Sequence, residues 1–253
     1  MAVSRIPLTQ LPPAAEYLPE SDGTPMAETD VHREQMIDLL NCLNEYFRSD
    51  PTVYVTGNIF LYYRDLEGNR QSISPDVFVV RGVEKKPRRI YNLEVEGKGP
   101  DLVIELTSLH TAVEDVGNKK VIYAYLGVSE YFIFDPLSET RSSQLRGFRL
   151  EGGEYLPLAG TRLRSQGLGL ELVIEDGVLR LYDPQTGERL RTHEEAEAAR
   201  RAAEAKATEE AQARRAAEAK ATEEAEARRA AEAELARLRE ELARRQKETS
   251  ESI

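Results

Sequence analysis

Three apolar runs in the first half of the chain predict the buried strands of a sheet. Residues 77–80, 102–104 and 131–134 are continuously apolar, which is typical of strands that are covered on both faces. A helical pattern from about Val113 to Leu126 separates the last two runs. Strand, helix and strand in succession predict a crossover unit. We therefore expect an α/β fold with a mixed sheet that is covered by helices on at least one side.

The pattern on either side of these runs adds a helix before the sheet and further strands after it. Apolar residues recur at three- and four-residue intervals from Thr29 or Asp30, either of which is a suitable N-cap, to about Arg48. Residues 53–63 are rich in β-branched and aromatic side chains, and a polar turn follows them, so a hairpin is expected. Residues 140–183 alternate weakly and predict extra β ribbon rather than a second domain.

The last quarter of the chain is a repeat with a period of 14 residues. Residues 200–213 recur at 214–227 with one change, Gln212 to Glu226. Alanine, glutamate, arginine and lysine favour helix, so one long helix is predicted from about His193 to Gln246. It is either a coiled coil that makes the protein a homo-oligomer or a lone solvated charged helix. The coiled coil is suggested by leucines at a/d-like spacing, which are Leu235, Leu238 and Leu242.

Composition divides the chain into an N-terminal arm (1–28), an α/β domain (29–190) and a helical tail (191–253). The arm is rich in proline and turn formers. The lone cysteine, Cys42, excludes an intramolecular disulfide and a cysteine-based zinc site, and we expect it to be buried on its helix. No apolar run is long enough to span a membrane and no secretory signal is evident, so a soluble cytoplasmic protein is predicted.

The charge balance does not advertise a nucleic-acid surface. The chain carries 34 Lys+Arg against 45 Asp+Glu, a formal net charge of −11, whereas DNA-binding domains usually cluster basic residues. The strongest basic cluster is residues 85–89, which Pro87 makes a loop. This loop is either a solvated connector or a phosphate contact.

Two carboxylates at strand ends point to metal chemistry. Asp76 stands at the head of one apolar run, and Glu105 closes another. Carboxylates are rarely buried without a partner, and two of them in one place repel each other, so their pairing suggests a cation. Mg²⁺ takes only one or two carboxylates from a protein and keeps several waters. Asp76, Glu105 and the backbone carbonyl of Leu106 would suffice.

Other polar residues are candidates for the same site. Lys119 and Lys120 are adjacent on the predicted helix and point about 100° apart, so only one of them is expected to face the site. We favour Lys119, which shares a helical face with Asp115 and Tyr123. The bland alternative is an exposed ion pair between Asp115 and Lys119 on a surface helix. On the first helix, Glu34 is either a further carboxylate for the metal or an exposed charge, and His32 is expected at the surface.

These residues carry a resemblance to a known family. Pro75-Asp76, then Glu105-Leu106-Thr107-Ser108, then the series Asp115, Lys119 and Tyr123, and finally residues 127–136 follow one another as in the Uma-type family of proposed restriction endonucleases. That family lies within the PD-(D/E)XK nuclease superfamily. The resemblance covers roughly residues 29 to 140, and its strength lies in the order and spacing of the motifs.

The resemblance implies a restriction-endonuclease-like core, a central mixed sheet flanked by helices, and DNA cleavage that depends on Mg²⁺ or Mn²⁺. Asp76 and Glu105 would be metal ligands. Thr107 stands where the superfamily motif expects lysine. Related sequences place that lysine on the following helix, which matches Lys119. Two hypotheses remain: a metal-dependent DNA endonuclease with catalytic Asp76, Glu105 and Lys119, or a catalytically degenerate nuclease fold that acts as a binding or assembly module through its tail.

Overall fold

Within the described residues, a six-stranded mixed sheet forms the centre of the fold. The computed structural model describes residues 18–20, 29–108, 111, 113–140 and 143–250. The strands in chain order are β1 (Val53–Thr56), β2 (Leu61–Arg64), β3 (Arg70–Ile73), β4 (Val77–Arg81), β5 (Tyr91–Asn92), β6 (Leu102–Leu106), β7 (Glu130–Phe134), β8 (Leu145–Glu151), β9 (Glu154–Pro157), β10 (Arg162–Arg164), β11 (Glu171–Glu175) and β12 (Val178–Tyr182). The helices are α1 (Asp30–Tyr46), α2 (Leu93–Glu96), α3 (Lys119–Tyr125) and α4 (His193–Ser250), with a π-helical turn at Glu114–Asn118.

The central sheet has the order β1-β4-β6-β7-β8-β9. Its strands β6 and β7 are parallel, and the other neighbouring pairs are antiparallel. The π-helical turn and α3 connect β6 to β7, and Gly127 ends the helical segment with a φ of 74°, a conformation that glycine adopts without a steric penalty. The predicted crossover unit and the mixed sheet are confirmed.

The three apolar runs are buried because the sheet is covered on both faces. Alternate residues of β4, β6 and β7 point to opposite sides. One side packs with α1 and with the sheet of β10–β12 around Leu39, Leu43 and Leu172. The other side packs with α3 and β5 around Tyr91, Tyr123 and Tyr131. This covering is why the carboxylates at the strand ends lose contact with bulk water.

A second sheet, ordered β3-β2-β5, confirms the predicted hairpin of β2 and β3. The segment after the basic loop forms β5 and then the short helix α2, where the sequence predicted a strand or edge segment. In the basic loop, Arg88 binds Glu96 at 2.7 Å and lies 4.3 Å from the centroid of the Tyr54 ring. The Arg88 side chain is only 4% exposed, so this cation serves the fold rather than a phosphate.

Helix α1 is fixed to the third sheet, which is ordered β10-β11-β12. The Gln35 side chain accepts from the Leu179 N–H at 2.9 Å and donates to the Leu179 carbonyl at 3.2 Å. Thr29 is the N-cap of α1 and accepts from the His32 N–H at 3.2 Å, and Cys42 is buried, as predicted. The predicted extra β ribbon therefore divides: β8 and β9 extend the central sheet, and β10–β12 form a sheet of their own.

The chain divides into two compact units, residues 1–193 and 194–253. The described residues of the second unit belong to α4, so the long C-terminal helix is confirmed. The predicted coiled coil stays a prediction. Apart from residues 18–20, the predicted N-terminal arm lies outside the described residues. In the part of the chain that the structure describes, no helix has both the length and the apolar character required to cross a membrane.

Candidate active site

Antiparallel pairing brings the first two candidate residues together. Val77 of β4 is opposite Ile104 of β6, so the residue before β4, Asp76, meets the end of β6, where Glu105 lies. The Asp76 carboxylate accepts the Leu106 N–H at 2.7 Å, and the Asp76 N–H lies 3.4 Å from Glu105 Oε2. The two predicted metal ligands are therefore neighbours where the start of β4 meets the end of β6.

Lysine 119 reaches the same place from the crossover. Its Nζ lies 3.1 Å from Glu105 Oε2 and 2.9 Å from Asp115 Oδ1. Asp115 belongs to the π-helical turn that directly precedes α3, and such turns occur frequently at functional sites. The Asp115 carboxylate is 1% exposed, so the pair of Asp115 and Lys119 is not the solvated surface ion pair of the bland alternative.

Two tyrosines form hydrogen bonds with Glu105 and Asp115. The Tyr123 hydroxyl donates to Glu105 Oε1 at 2.5 Å, and the Tyr131 hydroxyl donates to the Asp115 backbone carbonyl at 2.8 Å. Their ring centroids are 5.1 Å apart. Burial, with the charge of Glu105, raises the pKa of Tyr123 well above its ordinary value. The phenol therefore keeps the proton that it donates.

The cluster contains more buried carboxylates than buried lysines. The side chains of Asp76, Glu105 and Asp115 are 14%, 0% and 1% exposed, and the single lysine, Lys119, is 16% exposed. Burial raises the pKa of Glu105 well above its ordinary value, and the charge of Asp76 raises it further. Burial acts to lower the pKa of Lys119, but the carboxylates of Glu105 and Asp115 outweigh it, so that pKa is raised. The lysine stays charged.

The Asp76 carboxylate stays ionised more readily than that of Glu105. Burial acts to raise its pKa, but the hydrogen bond and charge of His32, the charge of Lys119 and the Leu106 N–H together lower it below its ordinary value. His32 Nε2 lies 3.5 Å from Asp76 Oδ2. A site with an ionised aspartate beside a second carboxylate attracts a cation.

The family model of Uma2, described as "Putative restriction endonuclease", matches residues 6–180, more than half of the 253-residue chain. The chain belongs to the Uma2 family. A crystal structure described as a "putative nuclease belonging to DUF820" from Anabaena variabilis is similar to the Uma2 chain at 17% identity and a TM-score of 0.46. The match covers 63% of this chain and 92% of that one. No curated protein matches the sequence.

The donor set of this Uma2 chain fits a hard divalent cation. Its acidic ligands are oxygens, and Asp115 Oδ2 is buried without a hydrogen-bond donor among the described residues. The described residues contain no group of three or more His, Cys, Asp or Glu that is arranged to hold a metal. Because Mg²⁺ accepts one or two carboxylates and retains waters, the pair of Asp76 and Glu105 is compatible with Mg²⁺ but not with a closed cage of protein ligands.

Two of the additional candidates lie elsewhere in the Uma2 domain. Glu34 is exposed on α1, the position expected for the alternative of a solvated charge. Lys120 points away from the site, with its Nζ 3.9 Å from the centroid of the Phe148 ring. The prediction that only one of the two adjacent lysines faces the site, and that it is Lys119, agrees with these positions.

His32 is the site residue that the sequence interpretation missed. It was expected at the surface, but its side chain is 15% exposed and lies against Asp76. The signal was present in the helical periodicity. His32 precedes Gln35, Met36 and Leu39 by three, four and seven residues, and these three belong to the buried face of α1.

Proposed function

We propose that the α/β domain is a Mg²⁺-dependent endonuclease that hydrolyses phosphodiester bonds in DNA. The observation that carries this proposal is the convergence of Asp76, Glu105 and Lys119 where the start of β4 meets the end of β6. Membership in the family described as "Putative restriction endonuclease" supports both the nuclease activity and DNA as its substrate.

Asp76 and Glu105 would hold Mg²⁺ or Mn²⁺, with the Leu106 backbone carbonyl as a further oxygen ligand. A divalent ion, when bound, polarises phosphoryl oxygens and lowers the pKa of a coordinated water. The three buried carboxylates of the cluster support this assignment, because Lys119 contacts Glu105 and Asp115 and a divalent cation beside Asp76 and Glu105 would favour their ionised forms.

The remaining residues of the cluster would prepare the site for a phosphate. Lys119 would stabilise the negative charge that develops on the scissile phosphate, because a preorganised ammonium in a water-poor site acts strongly on such charge. Asp115 would orient Lys119 through their 2.9 Å contact, and Tyr123 would fix the Glu105 carboxylate through its hydrogen bond. Thr107, at the position of the usual lysine, would have no part in the chemistry.

The tail adds a second element to the proposal. We infer that α4 pairs with α4 of a second copy, which would allow two sites to address the two strands of a duplex. Support comes from leucines at a/d-like spacing that are each more than half exposed in the single helix, Leu235, Leu238 and Leu242.

The test of the endonuclease activity is cleavage of supercoiled plasmid by the purified full chain with Mg²⁺ or Mn²⁺, and with EDTA. Asp76→Asn and Lys119→Met should each lose nicking, and Lys120→Met is the matched control, since Lys120 lies beside Lys119 in sequence and outside the site. Cleavage that persists at wild-type rate in both active-site variants would indicate a contaminating nuclease.

The alternative function is a degenerate nuclease fold that serves as a binding or assembly module, and Thr107 is the residue that favours it. No cleavage of duplex DNA, single-stranded DNA or RNA by the wild type, together with no binding of Mg²⁺ or Mn²⁺ in calorimetry, would exclude the endonuclease and leave this alternative.

A further inference from the structure

A histidine of α1 lies against one of the proposed metal ligands. His32 Nε2 is 3.5 Å from Asp76 Oδ2, and the two side chains are 15% and 14% exposed. On its other side the same oxygen accepts the Leu106 N–H at 2.7 Å. The Asp76 carboxylate is thus confined between an imidazole from a helix and a backbone N–H from a neighbouring strand. Neither contact uses Oδ1.

The fold fixes the direction in which His32 points. The residue lies in the first turn of α1, where the Thr29 side chain accepts its backbone N–H. One turn later, Gln35 makes its two hydrogen bonds with Leu179 of β12, which prevents rotation of the helix about its axis. Leu39 and Leu43, on the same face, are fully buried against the central sheet. The imidazole is therefore held at Asp76 by packing and hydrogen bonds remote from the site.

We propose that His32 is a positioning residue that orients the Asp76 carboxylate for binding of the divalent cation. This inference rests on the proposed function, because it requires that Asp76 bind a metal. His32 acts through Asp76 rather than as a ligand itself. The described residues contain no group of three or more His, Cys, Asp or Glu that is arranged to hold a metal, so His32, Asp76 and Glu105 do not form such a group. A partner that orients a metal-binding carboxylate typically changes metal affinity by about 10- to 100-fold.

Calorimetric titration of the full chain with Mn²⁺ alone tests the proposal without relying on activity. His32→Ala should weaken Mn²⁺ binding by about 10- to 100-fold. His32→Gln should recover part of the affinity, because its amide N–H₂ can donate to Asp76 from a similar reach. His193→Ala is the matched control: His193 is exposed at the start of α4, and its removal should leave the affinity unchanged.

Thermal unfolding in EDTA distinguishes positioning from folding. His32→Gln is the variant that decides the question if His32→Ala unfolds at a much lower temperature. If the wild type binds Mn²⁺, and His32→Gln and a folded His32→Ala bind it with the same affinity as the wild type, this inference is overturned and the proposed function is not. No gain in affinity from alanine to glutamine, with both variants folded, would also overturn it. Absence of Mn²⁺ binding by the wild type would overturn the proposed function and the inference together.

Discussion

Removal of Lys119 should destabilise the domain much more than removal of its neighbour Lys120. Lys119 lies between Glu105 and Asp115, whose side chains are 0% and 1% exposed. Removing one partner of a buried ion pair leaves an uncompensated charge and costs about 3–5 kcal/mol. The Lys120 ammonium lies over the face of the Phe148 ring, and such a partly exposed contact is worth about 0.5–1 kcal/mol. The expected difference is therefore about 2–4.5 kcal/mol.

The assay is unfolding in EDTA, by urea and by heating, and the fluorescence of the tyrosines monitors it. The chain has 11 tyrosines and no tryptophan, and the last tyrosine is Tyr182, so this signal reports the α/β domain and not the long helix α4. Lys119→Met and Lys120→Met retain a long apolar side chain, which limits the loss of packing. A domain of this size loses about 2–4 °C of melting temperature per kcal/mol, so Lys119→Met should melt roughly 6–20 °C below the wild type.

A double variant checks the electrostatic cause. Adding Asp115→Asn to Lys119→Met removes one of the uncompensated carboxylates, so the double variant should be more stable than Lys119→Met, with a coupling of about 0.5–3 kcal/mol. Equal unfolding midpoints of Lys119→Met and Lys120→Met, or a double variant that is less stable by the sum of the two single effects, would refute the reasoning.

The remaining predictions concern the surroundings of the site and the tail. Gly57→Ala should displace Asp76, because the added Cβ would lie 1.9 Å from the Asp76 carbonyl oxygen, and urea unfolding should show a loss of at least about 1–3 kcal/mol; an unchanged midpoint would contradict this. Thr107→Lys should restore part of the plasmid nicking lost in Lys119→Met, because residue 107 lies on the same face of the extended chain as Glu105; no recovery would show that the two lysine positions are not equivalent. Glu96→Gln should lower the free energy of unfolding above pH 4.5 and progressively less below it, because the hydrogen bond with Arg88 lowers the pKa of Glu96 from its ordinary 4.5. A lowered pKa gives stability that is lost as the carboxylate protonates. Urea unfolding at several pH values measures this, and a constant cost at all pH values would rule out this cause. Replacement by alanine of the three tail leucines should halve the mass measured by light scattering, and a monomeric wild type would exclude pairing of α4; these residues are Leu235, Leu238 and Leu242.

The sequence predicts the centre of the fold because the physics there is local. Residues 77–80, 102–104 and 131–134 are apolar without interruption, which is typical of strands that are covered on both faces. A helix of suitable length between the last two requires a crossover, and crossovers give parallel neighbours. The meeting of Asp76 and Glu105 needs one more condition, that β4 and β6 be adjacent and antiparallel, and strand order is not written in any local pattern.

Features that depend on tertiary packing were less accessible. The sequence predicts helix from Val113 onwards, but residues 114–118 form a π-helical turn, in which the Tyr131 hydroxyl binds the Asp115 carbonyl. The separate sheet of β10–β12 is another case, since its strands pair by contacts that weak alternation does not specify. His32 was missed for a different reason: a polar residue on an apolar helical face was given the environment typical of its type rather than that of its position.

The position of Lys119 shows which part of an active-site motif is chemical and which part is a matter of spacing. An ammonium beside Glu105 can come from the same strand, two residues on, because residues i and i+2 share a face. In this chain that position holds Thr107, which is buried, and the ammonium comes from α3 at 3.1 Å. From α3 the ammonium also contacts a second carboxylate, that of Asp115, at 2.9 Å. The ammonium is thereby held by two acids, Glu105 and Asp115.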